Sequence, residues 1–141
     1  MSKSLRILWI LLAAGLLWPV RAVWADSLPE DAQVEGVLGH AQAFSLSCES
    51  RSAADWAAYW GVYIDESRFL KNLPRSDNPD AGFVGNPKGA WGQVPPRPYG
   101  VHAEPVAAAL RTYGLAAQAH KGLGWEDLRA EIAAGRPVIV W

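Results

Sequence analysis

The chain contains one cysteine among its 141 residues, and this residue, Cys48, stands at the start of an aromatic-rich helical pattern. An N-terminal segment typical of an export signal precedes it. Exported domains usually pair their cysteines, because a thiol outside the cell oxidises and a disulfide stabilises the fold. A lone cysteine in such a chain favours nucleophilic chemistry. The alternative is a buried core cysteine, the usual environment of a free thiol.

Residues 1–25 are predicted to be a secretory signal peptide, which places the protein outside the cell, in the cell envelope or in the periplasm. Lys3 and Arg6 supply the positive start, and an apolar run of 14 residues follows at 7–20. A spanning helix needs about 20 apolar residues, so a cleaved signal is favoured over a membrane anchor. We therefore expect contact with a membrane only through the signal peptide.

The rest of the chain is long enough for one domain with a small core. It has 116 residues, with 10 basic and 14 acidic side chains. A nucleic-acid partner would require a clustered basic face, so none is expected. Neither metal-ligand spacing nor a phosphate-binding glycine loop is present, which predicts no cofactor and no metal. The sequence leaves the oligomeric state open.

A polar lead-in at 26–33 is followed by a pattern of helices. Ser47 is a suitable N-cap and Gly61 a suitable end for the first helix. Bulky residues recur at helical spacing between them. Helices are predicted at about 48–59, within 65–73, at about 104–113 and at about 125–134.

Two segments favour strands, and one favours a long loop. Residues 137–141 (PVIVW) have the composition of a buried strand, and residues 115–120 are a further candidate. Residues 76–99 contain five prolines and four glycines, and ordered loops of this length are often functional. Trp91, in this loop, is a candidate cleft residue. Trp56, Trp60 and Trp125 lie on apolar helix faces and are expected in the core.

The position of Cys48 suits a nucleophile. A thiol at a helix N-terminus meets the positive end of the helix dipole and free backbone N–H groups, which favour the thiolate. The same N–H groups can stabilise an oxyanion on a substrate carbonyl. Gln42, on the preceding loop, is placed to add a side-chain donor.

Several blocks of the chain resemble one peptidase family. The spacing of Gln42 and Cys48 is shared by papain-like cysteine peptidases. SLSCESRSAADWAAYWG is similar more specifically to the bacteriocin-processing, double-glycine-leader peptidases, the C-thirty-nine-like family. The similarity continues through LPRSDNPDAGFVGNPKGAWG, YGVHAEPVAAALRTYGL and EIAAGRPVIVW, and so covers 34–141.

The resemblance implies an α+β, papain-like cysteine peptidase fold at 34–141, with the helical half and the first strand or strands of the sheet half. It implies that Cys48 is the nucleophile and Gln42 the oxyanion-hole residue. The implied activity is hydrolysis of peptide or amide bonds in a peptide or protein substrate.

The catalytic histidine of this family, and the Asp or Asn that orients it, follow the block matched by PVIVW, and this chain has neither position. His40, His102 and His120 are not expected to replace it. We therefore expect a domain that is incomplete at its C-terminal side and inactive as this fragment, because a thiol needs a base. The alternative is a non-catalytic extracellular domain, either a peptide-binding module or a pseudo-enzyme.

Overall fold

The computed structural model describes residues 28–141, so the predicted signal peptide at 1–25 lies outside the described residues. No helix in the described part is long and apolar enough to cross a membrane. The four predicted helices are confirmed, with ends close to the predicted ones. They are α1 Cys48–Tyr59, α2 Glu66–Asn72, α3 Ala103–Arg111 and α4 Trp125–Ala133.

The strand prediction is not confirmed within residues 28–141, where no β-strand is formed. Residues 137–141 and 115–120 are neither helical nor paired with a neighbouring strand. Composition favours an extended backbone, but a strand also requires a neighbour that satisfies its N–H and C=O groups. Isolated bridges join Arg75 to Phe83 and Val84 to Gly100. Of the predicted α+β class, these residues therefore show the helical part.

The core forms where α1 packs against α2 and α3. The buried apolar residues of α1 are all alanines, whose small side chains allow the two other helices to approach closely. Phe69 from α2 has no exposed surface, and its burial stabilises the fold by roughly 2–3 kcal/mol. The other buried apolar residues of these helices are Ala53, Ala54, Ala57, Leu70, Pro105, Val106, Ala107 and Leu110.

The loop at 76–99 begins with a segment that packs closely on the chain before it. Phe83 and Val84 are fully buried, and the Phe83 N–H donates to the Pro74 carbonyl at 2.7 Å. A Cβ at Gly82 would lie 2.4 Å from that carbonyl oxygen. Only glycine therefore permits this approach of two backbone segments.

The expectation that Trp125 and Trp60 lie in the core is wrong. Trp125 is 70% exposed and Trp60 44% exposed, and α4 has no buried residue. Leu128 and Ile132 of α4 are only partly buried, so among the described residues its apolar face is incompletely covered. Trp56 is partly buried against the core, and its indole N–H donates to the Pro137 carbonyl at 2.7 Å.

Candidate active site

Cys48 is the first residue of α1, and its side chain is exposed and free. Ser47 occupies the N-cap position but makes no side-chain capping bond, because its hydroxyl contacts Glu66 and Phe44 instead. The backbone N–H groups of Glu49 and Cys48 favour the thiolate and by themselves act to lower the pKa of Cys48. This part of the predicted helix N-terminal environment is present.

The neighbouring carboxylate acts in the opposite direction. The Cys48 thiol donates to Glu49 Oε2 at 3.2 Å. Burial of the sulfur, followed by the charge and hydrogen bond of Glu49, raises the pKa of Cys48 above that of an ordinary thiol. In this structure partial burial and Glu49 together outweigh the backbone N–H groups, and the thiolate expected at the helix N-terminus remains a prediction.

Gln42 lies partly buried on the loop before α1, where its amide nitrogen donates to two carbonyls of the same loop. The distances are 2.6 Å to Phe44 and 3.0 Å to Ser45. These two bonds use both N–H groups of the amide. The oxyanion-hole role predicted for Gln42 remains a prediction, and it requires the amide to release one of these carbonyls.

A buried carboxylate from α2 holds the loop between Gln42 and Cys48. Glu66 is 6% exposed. Its Oε1 accepts hydrogen bonds from the Ala43 N–H at 2.9 Å and the Ser47 hydroxyl at 2.6 Å, and its Oε2 lies 3.7 Å from Arg51. A buried charge requires such partners. Glu66 therefore fixes the loop on both sides of Phe44.

A second buried carboxylate, Asp55 on α1, holds the start of the same loop. Asp55 accepts from the backbone N–H of His40 at 3.0 Å and lies 2.7 Å from the His40 ring. Arg51 donates to it at 2.6 Å. Burial by itself would raise the pKa of Asp55, but the hydrogen bonds from His40 and Arg51 together lower it. Asp55 is therefore charged at neutral pH, and it ties the loop to α1.

The long loop at 76–99 contacts the loop that leads to Cys48. The Ser45 hydroxyl donates to the Gly89 carbonyl at 2.7 Å and to the Pro87 carbonyl at 3.2 Å. The Leu46 N–H also donates to Pro87 at 2.9 Å. Trp91, two residues after Gly89, is 69% exposed. Its role as a cleft residue remains a prediction.

The three histidines of the chain are all engaged away from Cys48. His40 bonds Asp55. His102 bonds Asp80 at 3.0 Å and the hydroxyl of Tyr99 at 3.2 Å. The third histidine, His120, bonds Gln118 at 3.2 Å. The one hydrogen-bond partner of the Cys48 sulfur among residues 28–141 is Glu49, so this fold brings no imidazole to the thiol.

Two surface grooves, of about 380 and 430 Å³, lie elsewhere on the described part of the chain. The first is lined by residues of α3 and by the Asp80 turn, and the second by residues around Arg75. Neither includes Cys48 or Gln42. Residues 28–141 also contain no group of three or more metal-ligating side chains of the His, Cys, Asp and Glu types.

The sequence motifs do not point to the carboxylates that hold the candidate nucleophile and its loop. From the sequence, Glu49 is only a favourable acidic residue in the first turn of the helix, and Glu66 and Asp55 belong to no motif. Two signals were available: Arg51 and Asp55 are four residues apart on a predicted helix, which predicts an ion pair, and Glu49 directly follows the cysteine. No local signal pairs Glu66 with Ala43 or Ser47, because they are far apart in the sequence.

Comparison with known proteins identifies the family. The chain belongs to the Peptidase_C39 like family, whose model matches residues 33–140. The suspected resemblance is thereby confirmed. No curated protein and no solved structure matches the chain.

Proposed function

We propose that this domain carries the nucleophile of an exported cysteine peptidase that hydrolyses peptide bonds. The observation that supports it best is the position of Cys48, an exposed free thiol at the first residue of α1, where the N-terminal backbone N–H groups of the helix are unpaired. Membership of a peptidase family supports the same activity. The substrate is accordingly a peptide or a protein.

In the proposed reaction the Cys48 thiolate attacks the carbonyl carbon of the scissile bond. The oxyanion that forms is stabilised by the backbone N–H of Cys48 and by the amide of Gln42. The amine then leaves with a proton from a general acid, and a thioester to Cys48 remains. Water, deprotonated by the same group, attacks the thioester and releases the carboxylic acid and the thiol.

The group that moves these protons is not found beside Cys48. All three histidines of the chain are bonded elsewhere, and Glu49, the nearest carboxylate, is too weak a base for a thiol of raised pKa. We propose that these 141 residues alone do not hydrolyse peptides. The base would be contributed by a further segment or by another chain.

We also propose that the domain has the papain-like arrangement, with a sheet half beside the helical half. The pattern at 115–120 supports this, because Leu115 and Ala117 are buried while Ala116 and Gln118 are exposed. Such alternation is typical of a half-buried strand. Residues 137–141 would form its neighbour or the next strand.

The nucleophile can be tested without the missing base. A peptide thioester acylates a thiol through an oxyanion, whereas iodoacetamide alkylates it without one. The ratio of the two rates at Cys48, measured by mass spectrometry, therefore reports on an oxyanion hole. We expect this ratio to be at least about tenfold higher in the folded chain than in urea, since one oxyanion donor contributes a factor of about 100 or more in established enzymes.

Three variants complete this experiment. Cys48→Ala should form no adduct with either reagent, because the chain has no other cysteine. Gln42→Ala should lower the ratio and leave the alkylation rate unchanged. The matched control Gln118→Ala, on an exposed residue, should change neither. A ratio that is equal in folded and unfolded chain would overturn the proposed function.

A second candidate is a non-catalytic peptide-binding domain. The raised pKa of Cys48 and the engaged amide of Gln42 favour it. This candidate predicts that peptides bind the folded chain with equal affinity before and after Cys48→Ala. It also predicts that the ratio of acylation to alkylation at Cys48 is the same in the folded and the unfolded chain. Titration calorimetry with a peptide library, together with the rate ratio above, separates the two.

Export has its own test. The test uses a fusion of residues 1–33 to a reporter enzyme that folds only outside the cytoplasm. We expect reporter activity in the exported fraction. We also expect a mature fusion that lacks residues 1–25. Replacing Lys3 and Arg6 by glutamate should reduce export, because the positive start of a signal peptide is required. Reporter that is retained as the uncleaved fusion would refute the signal.

A further inference from the structure

The contact between Cys48 and Glu49 is the one feature of the site that the proposed reaction does not use. Adjacent residues at a helix start do not have to interact, since side chains one position apart on a helix point in different directions. Here the Glu49 carboxylate nevertheless turns back to accept the thiol proton, 3.2 Å from the sulfur. Another contact of Glu49 must therefore hold its carboxylate in this position.

The second oxygen of the same carboxylate is held by a different part of the chain. Glu49 Oε1 accepts from the backbone N–H of Val101 at 3.2 Å. Val101 is fully buried, and it lies two residues before the start of α3. The carboxylate therefore bridges the thiol at the start of α1 and the chain segment that leads into α3.

The residue before Val101 leaves space for this bridge. Gly100 has a φ of +120°, and a Cβ on it would lie 2.2 Å from Glu49 Oε1. Any side chain at this position would displace the carboxylate. The bridge thus depends on three neighbouring features: the thiol, a free N–H and a glycine with an unusual backbone conformation.

We propose that Glu49 is an inhibitory clamp on Cys48, which holds the thiol in its protonated form and must leave this position before Cys48 can attack a substrate. The inference rests on the proposed function, because it concerns the reactivity of the same nucleophile. A carbonyl carbon has to come within about 3–3.5 Å of the sulfur. The carboxylate is already at that distance, and its charge repels the thiolate.

Glu49 is the one charged residue of the described chain that perturbs Cys48. The segment opposite presents an uncharged N–H from Val101, and the next residue, His102, is bonded to Asp80 and Tyr99. On the loop side, Ser45 is uncharged. Removal of the Glu49 charge should therefore act on the thiol directly.

The test measures alkylation of Cys48 by iodoacetamide in the 141-residue chain between pH 6 and pH 10. Glu49→Gln removes the charge and keeps an oxygen that can accept from Val101. We expect alkylation at pH 7 to be at least about fivefold faster than in the wild type. The whole pH profile should move to lower pH. Because the chain has one cysteine, every adduct reports on Cys48.

Glu104→Gln is the matched control. Glu104 also lies in the first turn of a helix, α3, and pairs with Arg111 at the surface, so the variant makes the same change in net charge. Its alkylation rate should equal that of the wild type. A urea denaturation curve of Glu49→Gln with an unchanged midpoint would show that faster alkylation does not come from loss of structure.

Gly100→Ala provides a second variant that attacks the clamp from the other side. It should displace the carboxylate and also accelerate alkylation, provided that circular dichroism shows a folded chain. A rate within about twofold of the wild type for Glu49→Gln would overturn the clamp, as would an equal acceleration in Glu104→Gln.

These failures are distinguishable from failure of the proposed function. The alkylation rate of Cys48, a reaction that involves no oxyanion, tests the clamp. The ratio of acylation to alkylation tests the role of Cys48 as a nucleophile. An unchanged alkylation rate in Glu49→Gln, with the ratio still high, overturns the clamp and leaves the nucleophile in place. If alkylation is faster in Glu49→Gln but the ratio of acylation to alkylation does not exceed that of the unfolded chain, the proposed function is overturned. The proposed effect of the clamp on catalysis is then overturned as well.

Discussion

Removal of Glu66 should destabilise the fold more than removal of any surface carboxylate. In Glu66→Ala the Ala43 N–H and the Ser47 hydroxyl lose their acceptor in a buried site, and Arg51 loses one of its two carboxylate neighbours. Bonds to a charged group contribute roughly 1.5–3 kcal/mol each. The Arg51 contact, at 3.7 Å, contributes less. Some relaxation reduces the total, so we expect a loss of about 3 kcal/mol.

Urea denaturation followed by far-UV circular dichroism measures this loss. For a domain of this size, about 3 kcal/mol corresponds to a decrease in Tm of roughly 12 °C. Glu66→Gln keeps one acceptor oxygen and should lose about half as much. Glu104→Ala is the control, since its ion pair with Arg111 is exposed and should contribute less than about 1 kcal/mol.

The reasoning would be refuted if Glu66→Ala lost less than about 1 kcal/mol. Such a result would mean that water or a neighbouring side chain satisfies the loop as well as the carboxylate does. A loss equal in Glu66→Ala and Glu104→Ala would have the same meaning. In either case Glu66 could not be regarded as the residue that fixes the loop before Cys48.

Two further predictions concern the other carboxylates of the helical part. Asp55 has a folded-state pKa below its unfolded value, so its stabilisation is present above about pH 4 and is lost as the pH falls through the folded value. Urea titrations at pH 7, 5 and 3 give the difference in unfolding free energy between the wild type and Asp55→Asn. This difference should be smaller at pH 3 than at pH 7. A difference that does not change with pH would contradict the ion pair. Asp65 caps α2 by accepting from the Arg68 N–H at 2.7 Å. Asp65→Ala should cost about 1 kcal/mol, and Asp65→Asn much less; equal losses would contradict the cap.

The helices could be predicted from the sequence because their signals are local. Ser47 and Gly61 bracket α1, and the Gly61 φ of +77° is the left-handed conformation expected after a helix. The spacing of bulky residues between them predicted a helix, but the face that is buried carries the alanines Ala53, Ala54 and Ala57 instead. The same holds for α4, which ends before Gly135 with a φ of +72°. Each of these signals lies within one or two turns of the helix that it predicts.

The strand at 137–141 could not be confirmed for the opposite reason. Its composition is that of a strand, but a ladder forms only when a second segment presents matching N–H and C=O groups. Within the described residues no such segment lies beside it. The exposed face of α4 illustrates the same point, because the periodicity of Trp125 and its neighbours predicts an apolar face but not the element that covers it.

The candidate site likewise has features that the sequence determines and features that only the tertiary structure decides. The sequence alone determined that Cys48 begins a helix, that Gln42 precedes it at the spacing of papain-like peptidases, and that the family motifs continue to the end of the chain. Only the tertiary structure decided the chemical state of the site. The Glu49 carboxylate is held by Val101, 52 residues away, and the loop of Gln42 is held by Glu66, which bonds Ala43 across 23 residues. The charge environment of a thiol depends on distances in space, and a local sequence pattern does not specify them.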